Sequence, residues 1–400
     1  MPSGESSSSR LTNVDAVRGA VMILMALDHV RDFFHRGAMQ FSATDLARTT
    51  PILFLTRWIT HFCLPAFVFT TGIGAFLWLR RHNRTKQELA GFLLRRGLLF
   101  VLLELTVLQF AYDFNVSTHY LVLLLVLWIF GICLISMALL VQIPRRWLAA
   151  LSLAAIALHN LLDGIAGPQS GPPTWLWHIF HQPGLLTIAG MPVLVTYTLI
   201  PWLPVMAAGF CFGEILTLPN PKRYQITRNI GLALSFLFIV LRAFNRYGDP
   251  VPWTTQKSAI MTALSFLNCL KYPASLDFLC MTLGPTLLAL ACFDRHPPRS
   301  TNPLIVFGRV PLFYFVLHLY VIHIFLVFAS CLRYGSAAAS FIFNPVPSMG
   351  GPAQLFPPDF GWSLITVYLV WIAVVALLYP LCRWFARVKS ERRSPLLAYL

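Results

Sequence analysis

Long apolar runs separated by short polar or basic turns set the pattern of this chain. Ten of them fall at 14–35, 51–79, 91–112, 119–142, 147–163, 190–217, 229–245, 273–293, 303–330 and 360–386. Each is long enough to cross hydrocarbon ~30 Å thick as a helix rising ~1.5 Å per residue. The run 257–271 is apolar but short and closes on LKYP, which reads as an interfacial or re-entrant segment. The pattern predicts an all-α, polytopic transmembrane helix bundle of about ten spans. No internal repeat or linker divides it, so one transmembrane domain is expected over 10–390, between a polar, disordered tail at 1–9 and a cytoplasmic tail at 391–400. The segments 36–50, 164–189 and 331–359 are long, and loops of that size tend to be lids or binding surfaces.

Composition agrees and narrows the class. The 400 residues are 57% hydrophobic and 11% charged, with mean hydropathy +0.68, whereas a soluble domain carries about 25% charged residues. A formal net charge of +15 invites a nucleic-acid reading. Its distribution argues against one: Arg80, Arg81, Arg84, Lys86, Arg145, Arg146, Arg387 and Lys389 all fall on one side of the expected spans. Basic residues gather on the cytoplasmic side of membrane proteins. The bias therefore puts both termini in the cytoplasm of a multi-pass protein of the cell (inner) membrane. The eight cysteines lie mostly inside apolar runs with no CxxC pair; they read as buried hydrophobes, so neither a disulfide framework nor a metal site is expected. Asp28 and His29 interrupt the run after Gly19, and it lacks a small-residue exit, so no cleaved signal peptide is expected.

The first run holds side chains that hydrocarbon tolerates only for a reason. Residues 10–29 read RLTNVDAVRGAVMILMALDH, and an ionisable group in a bilayer costs several kcal/mol. At ~100° per residue, Arg18 and His29 lie about 20° apart around the helix axis and Asp15 about 60° from Arg18. The three share one stripe. Asp15 and His29 are about 21 Å apart along the axis, which places Asp15 and Arg18 toward one membrane face and His29 toward the other. The stripe reads as one wall of a polar path. The simpler alternative is an Asp15–Arg18 ion pair with a hydrogen-bonded core histidine.

The order Asp15, Arg18, Gly19, His29 resembles the first helix of the large integral-membrane acyltransferase superfamily. The opening RLxxVDxxRGxxxILM is similar to the start of the catalytic domain of the heparan-alpha-glucosaminide N-acetyltransferase family and its bacterial relatives. The likeness continues at 91–104 and 302–323. It implies a multi-pass acyltransferase taking an acyl group, acetyl above all, from cytosolic acetyl-CoA to an amine or hydroxyl of a sugar or glycoconjugate on the outer side. It also favours Asp28 and His29 as a catalytic pair. In the human member's pattern an Asn stands near the position of His29 and the catalytic His follows the first helix, so His29 and His35 both stay open.

Acyl transfer needs a base whose pKa lies near ambient pH, and histidine at ~6.5 qualifies. His29 is the candidate, as base or as acyl acceptor. Asp32, one turn on, or Asp28, beside it, would orient the ring. Arg18, Arg95, Arg96 and Arg309 gather at inner ends and suit the phosphates of acetyl-CoA, with plain cytoplasmic anchoring as the alternative. Asp15, His61, His178, His181 and His318 are candidates for the acceptor site; His61 and His318 read alternatively as buried rings bonded to carbonyls. His119 is expected on the outer side. Trp175 and Trp177 suit a sugar or an interface, Glu104 is expected to pair with an intramembrane Arg, and Gly72 and Gly74 read as close-packing residues. The expected partners are the lipid bilayer and a small-molecule or glycan acceptor, with no nucleic acid; a homodimer is compatible with the chain but not required by it. The rival class is a transporter or flippase of a small or lipid-linked solute, which would favour Gly- or Pro-broken helices repeated in two halves. The sequence carries no such symmetry.

Overall fold

A computed structural model describes residues 11–81, 84–115, 121–165, 167–168 and 171–392. The expected tail 1–9, nearly all of the tail 391–400, and His119 lie outside these residues. The chain is mostly helical. Its helices are α1 Thr12–Phe34, α2 Pro51–Trp58, α3 Cys63–Arg81, α4 Lys86–Leu103, α5 Gln109–Asp113, α6 Val126–Leu140, α7 Arg145–Leu158 and α8 Pro172–Phe180. They continue with α9 Leu199–Phe212, α10 Asn220–Phe244, α11 Ala259–Leu267, α12 Leu276–Arg295, α13 Pro303–Arg309, α14 Pro311–Tyr334 and α15 Leu364–Glu391.

Among the described residues, six helical stretches are long and apolar enough to cross a membrane: Pro51–Arg81, Leu199–Thr217, Asn220–Phe244, Leu276–Arg295, Pro311–Ser340 and Leu364–Glu391. Helix α1 has the length, at 23 residues, and is set apart by its charged side chains. The expected short segment at 257–271 is the short helix α11.

The all-helical expectation needs correcting at two spans. The run 119–142 reaches its helix through strand β1 (Val122–Leu124), and 190–217 opens with strand β3 (Met191–Val195); with β2 (Gly184–Ile188) they form a sheet of order β1-β3-β2. β1 runs parallel to β3, and β2 antiparallel. The β2–β3 turn places Ala189 and Gly190 at φ 50° and 81°, the positive pair a two-residue hairpin needs to match strand twist. A continuous apolar run does not distinguish a buried strand from a helix. The run 303–330 is also divided, at Val310, where Pro311 opens a new helix.

The start of α6 follows from one side chain. Glu104, in a π-helical turn between α4 and α5, is fully buried. Its Oε2 accepts the N–H groups of Leu127 and Trp128 at 2.7 and 3.2 Å, and its Oε1 that of Leu125 at 3.2 Å. Tyr112 Oη adds a bond at 3.3 Å. The expected arginine partner is replaced by the free N–H groups of a helix start, which are unsatisfied and carry partial positive charge.

Glycines let α1 and α3 approach their neighbours. A Cβ at Gly19 would stand 1.8 Å from Leu304 O, and one at Gly308 1.8 Å from Asp15 O, so α1 and α13 cross backbone to backbone. Gly72 and Gly209 do the same for α3 and α9, with Cβ positions 1.9 Å from Met206 O and 2.1 Å from Phe69 O. At the Asp15 end, Arg223 forks onto Asp294 at 2.9 and 2.5 Å, and Asn13 donates to the same carboxylate at 3.3 Å, joining α1, α10 and α12. Toward the other end, buried Arg242 donates to the carbonyls of Phe266, Val251, Ser265 and Asn268. It pins the connection between α10 and α12.

Candidate functional site

Consecutive residues on a helix point ~100° apart, and this decides what each polar side chain near the end of α1 meets. His29 faces α14. Its Nδ1 lies 2.6 Å from His318 Nε2, and the two rings meet end to end, their centroids 4.9 Å apart and their planes within 23°. His318 is fully buried, and its Nδ1 donates to Tyr314 O at 3.1 Å. His29 is partly exposed and lines a cavity of about 560 Å³ with Asp32, Arg57, Tyr112, Tyr197, Tyr272 and Ser348 among its walls.

Asp28 faces α2. Arg57 Nη1 donates to Asp28 Oδ1 at 2.6 Å and Oδ2 at 2.5 Å, Thr60 Oγ1 donates to Oδ1 at 2.8 Å, and Arg31 Nη2 stands 3.0 Å away. The same Arg31 nitrogen binds Asp32. Both aspartates are thus held by arginines, and the ring-orienting partner expected from them is instead His318. Arg57 Nη2 also donates to Tyr272 Oη at 3.3 Å, and Tyr272 Oη lies 3.3 Å from Tyr197 Oη.

The remaining histidines stand elsewhere. His35 follows α1 and its Nδ1 accepts the Ala38 N–H at 3.2 Å, capping the turn 36–39. His61 is buried against Phe278, ring centroids 5.4 Å apart, outside the cavity wall. His178 Nδ1 donates to Gln182 O at 2.7 Å. His181 is buried with Nε2 3.6 Å from Asp163 Oδ1. Burial holds its pKa below the ordinary value, against the pull of Asp163. Neither His178 nor His181 lines the His29 cavity.

Nearer the Asp15 end is a second cavity of about 210 Å³, lined by Arg18 and Arg96 with Trp78, Phe92 and Phe100 among apolar neighbours. Arg18 Nη2 donates to Thr70 O at 2.5 Å and Nε to Thr70 Oγ1 at 3.2 Å. Arg96 lies 5.3 Å over the Phe100 ring. Val126 and Phe315 line both cavities, and Phe315 meets the His29 ring edge-on at 6.3 Å. Of the four arginines singled out for the donor, only Arg18 and Arg96 share this space. Arg95 is exposed, and Arg309 lines a separate cavity of about 280 Å³ with Ala386, Lys389 and Ser390. Asp15 is buried where α1 crosses α13.

Arg31, Arg57, Tyr197, Tyr272 and Phe315 enter the site without having been marked in the sequence. Both arginines carried a signal, Arg31 as a charge three positions from Asp28 and Arg57 as a charge within an apolar run. The two tyrosines carried none, since they lie between elements rather than on a periodic face.

Residues 10–242 match the profile described as heparan-alpha-glucosaminide N-acetyltransferase, catalytic. A comparison with curated proteins finds no match.

Proposed function

The chain belongs to the heparan-alpha-glucosaminide N-acetyltransferase catalytic family of membrane acetyltransferases, and from that premise we propose that it moves an acetyl group from cytosolic acetyl-CoA to an amine or hydroxyl of a sugar or glycoconjugate on the outer side of the cell (inner) membrane. The observation that carries this reading is the position of His29, which lines the larger cavity where it adjoins the arginine-bearing one.

The Arg18–Arg96 cavity is the donor side. Arg80 and Arg81 end α3 and Arg84 follows it, beyond the point where Gly74 meets Arg18, and this basic end is the cytoplasmic one. Guanidinium groups there meet phosphate oxygens as charge-assisted hydrogen bonds, and the aromatic wall suits the donor's thin pantetheine arm. The larger cavity, with paired tyrosine rings 5.4 Å apart and several hydroxyls, takes the acceptor.

With Nδ1 engaged by His318, His29 offers Nε2. This nitrogen takes the acceptor's N–H or O–H proton while the acceptor's lone pair attacks the thioester carbonyl carbon. A C–N or C–O bond forms, the C–S bond breaks with its electron pair on sulfur, and the proton passes from His29 to the CoA thiolate. Arg31, Arg57 and the aspartates keep the wall charged but balanced.

The test is direct. Purified protein given acetyl-labelled acetyl-CoA and a panel of amino sugars, free and glycan- or lipid-linked, should release CoA and label an acceptor. His29→Ala should lower turnover by ~10² or more. Stoichiometric labelling of the protein without acceptor would replace the direct route by an acyl-histidine one. No acceptor-dependent CoA release from any amine or hydroxyl would overturn the transferase reading in favour of solute transport.

A further inference from the structure

We propose that His318 is a positioning residue that sets the tautomer of His29 and so selects the nitrogen that meets the acceptor. The inference rests on the reading of His29 as base. His318 lies on α14, beyond the stretch 10–242 that matches the family.

Tyr314 O can only accept, so His318 Nδ1, 3.1 Å away, must carry a hydrogen. His318 is 0% exposed, and Asp28 and Asp32 are already held by Arg31 and Arg57. An imidazolium there would be a buried charge without its own counterion. His318 is therefore neutral, with a bare lone pair on Nε2. Two bare nitrogens do not approach to 2.6 Å, so His29 Nδ1 carries the hydrogen and donates it. In neutral His29 that leaves Nε2 unprotonated, the form a base requires.

Packing keeps the arrangement in place. The Tyr314 ring stacks on His318 at 5.4 Å and 13°, and Phe315 lies 5.5 Å away on a tilt. His318 thus has little freedom to turn away from its carbonyl. With a side chain that accepts no hydrogen bond at this position, His29 would lose both its preferred tautomer and the bond that holds its ring in place. A tautomer with hydrogen on Nε2 offers the acceptor a donor where a lone pair is needed. In serine proteases a wrong tautomer costs about 10⁴ in kcat.

The test compares two substitutions by two readouts. His318→Leu should lower kcat by ~10² or more, with both KM values within about threefold. His318→Gln, whose Oε1 reaches far enough to accept the His29 N–H, should stay within about fivefold of wild-type kcat. Independently of turnover, ¹⁵N NMR of histidine-labelled protein, with His29 assigned by difference from His29→Gln, should show hydrogen fixed on Nδ1 in wild type and His318→Gln but shared between Nδ1 and Nε2 in His318→Leu. Hydrogen on Nε2 of wild-type His29, full activity in His318→Leu, or a His318→Gln variant as impaired as His318→Leu would each overturn the proposal. The expected NMR pattern together with an active His29→Ala would uphold the pair and overturn the base instead.

Discussion

Arg57 grips Asp28 through a single nitrogen, Nη1, which stands 2.6 Å from one carboxylate oxygen and 2.5 Å from the other. The contact joins α1 to α2 and turns Asp28 away from His29. Removing one partner of a buried ion pair costs about 3–5 kcal/mol, because the other charge is left uncompensated. Arg57→Ala should therefore lower the melting temperature in detergent sharply, and Asp28→Asn should do so to a lesser degree. The specific activity of folded Asp28→Asn should stay within about tenfold of wild type, less than the loss expected for a general base. A stable Asp28→Asn protein without activity would return Asp28 to the chemistry.

His35 provides the matched control for His29. Its ring caps the turn 36–39, and loss of a cap of this kind costs about 1 kcal/mol. His35→Ala should leave turnover within a few-fold of wild type. Loss of turnover in His35→Ala, with His29→Ala active, would move the base to the loop.

Arg18 and Arg96 line the second cavity, and Arg95 and Arg309 do not. Charge-assisted contacts present in ground and transition states alike act on KM. At about 1.5–3 kcal/mol each, Arg18→Ala and Arg96→Ala should raise the KM for acetyl-CoA by ten- to a hundred-fold with kcat little changed. Arg95→Ala and Arg309→Ala should change it by no more than about twofold. Steady-state kinetics at saturating acceptor separates the two sets. Equal effects at all four positions would mean that the basic end acts as a diffuse field.

Glu104 accepts from three N–H groups at the start of α6. A glutamine there keeps one acceptor oxygen and turns an amide donor toward other donors. With buried unsatisfied groups costing about 1–3 kcal/mol each, Glu104→Gln should lower thermal stability measurably and Glu104→Ala further. A Glu104→Gln protein as stable as wild type but inactive would give the carboxylate a catalytic part.

His181 predicts a local pH response. Its pKa in the fold lies below the ordinary value because burial disfavours the charged ring. The open form therefore binds the proton more readily, and packing around α8 weakens as pH falls through ~6.5 toward the lowered value. Protection factors over residues 171–195, which divide out the intrinsic pH dependence of amide exchange, should fall between pH 7.5 and 5.5, and His181→Gln should flatten that dependence. Protection that rises at the lower pH would reverse the sign and show that Asp163 dominates.

Much of this architecture is legible along the chain. Apolar runs of membrane-crossing length become helices because hydrocarbon leaves backbone groups no other partner, and α1, α3, α12 and α15 stand close to where those runs lie. The stripe of Asp15, Arg18 and His29 is likewise local, because helical periodicity sets azimuth within a few turns. Strands β1 and β3 were not legible, since their apolar residues also fit a helix. Nor were the partners. His29 meets His318 at a separation of 289 positions, Asp28 meets Arg57 at 29, and Glu104 meets backbone N–H groups that no residue type announces. Those pairings depend on how closely and at what rotation helices cross, which the Gly19–Leu304 and Gly308–Asp15 contacts help set. Periodicity encodes which way a side chain points from its own helix, and tertiary packing alone decides what stands there to receive it.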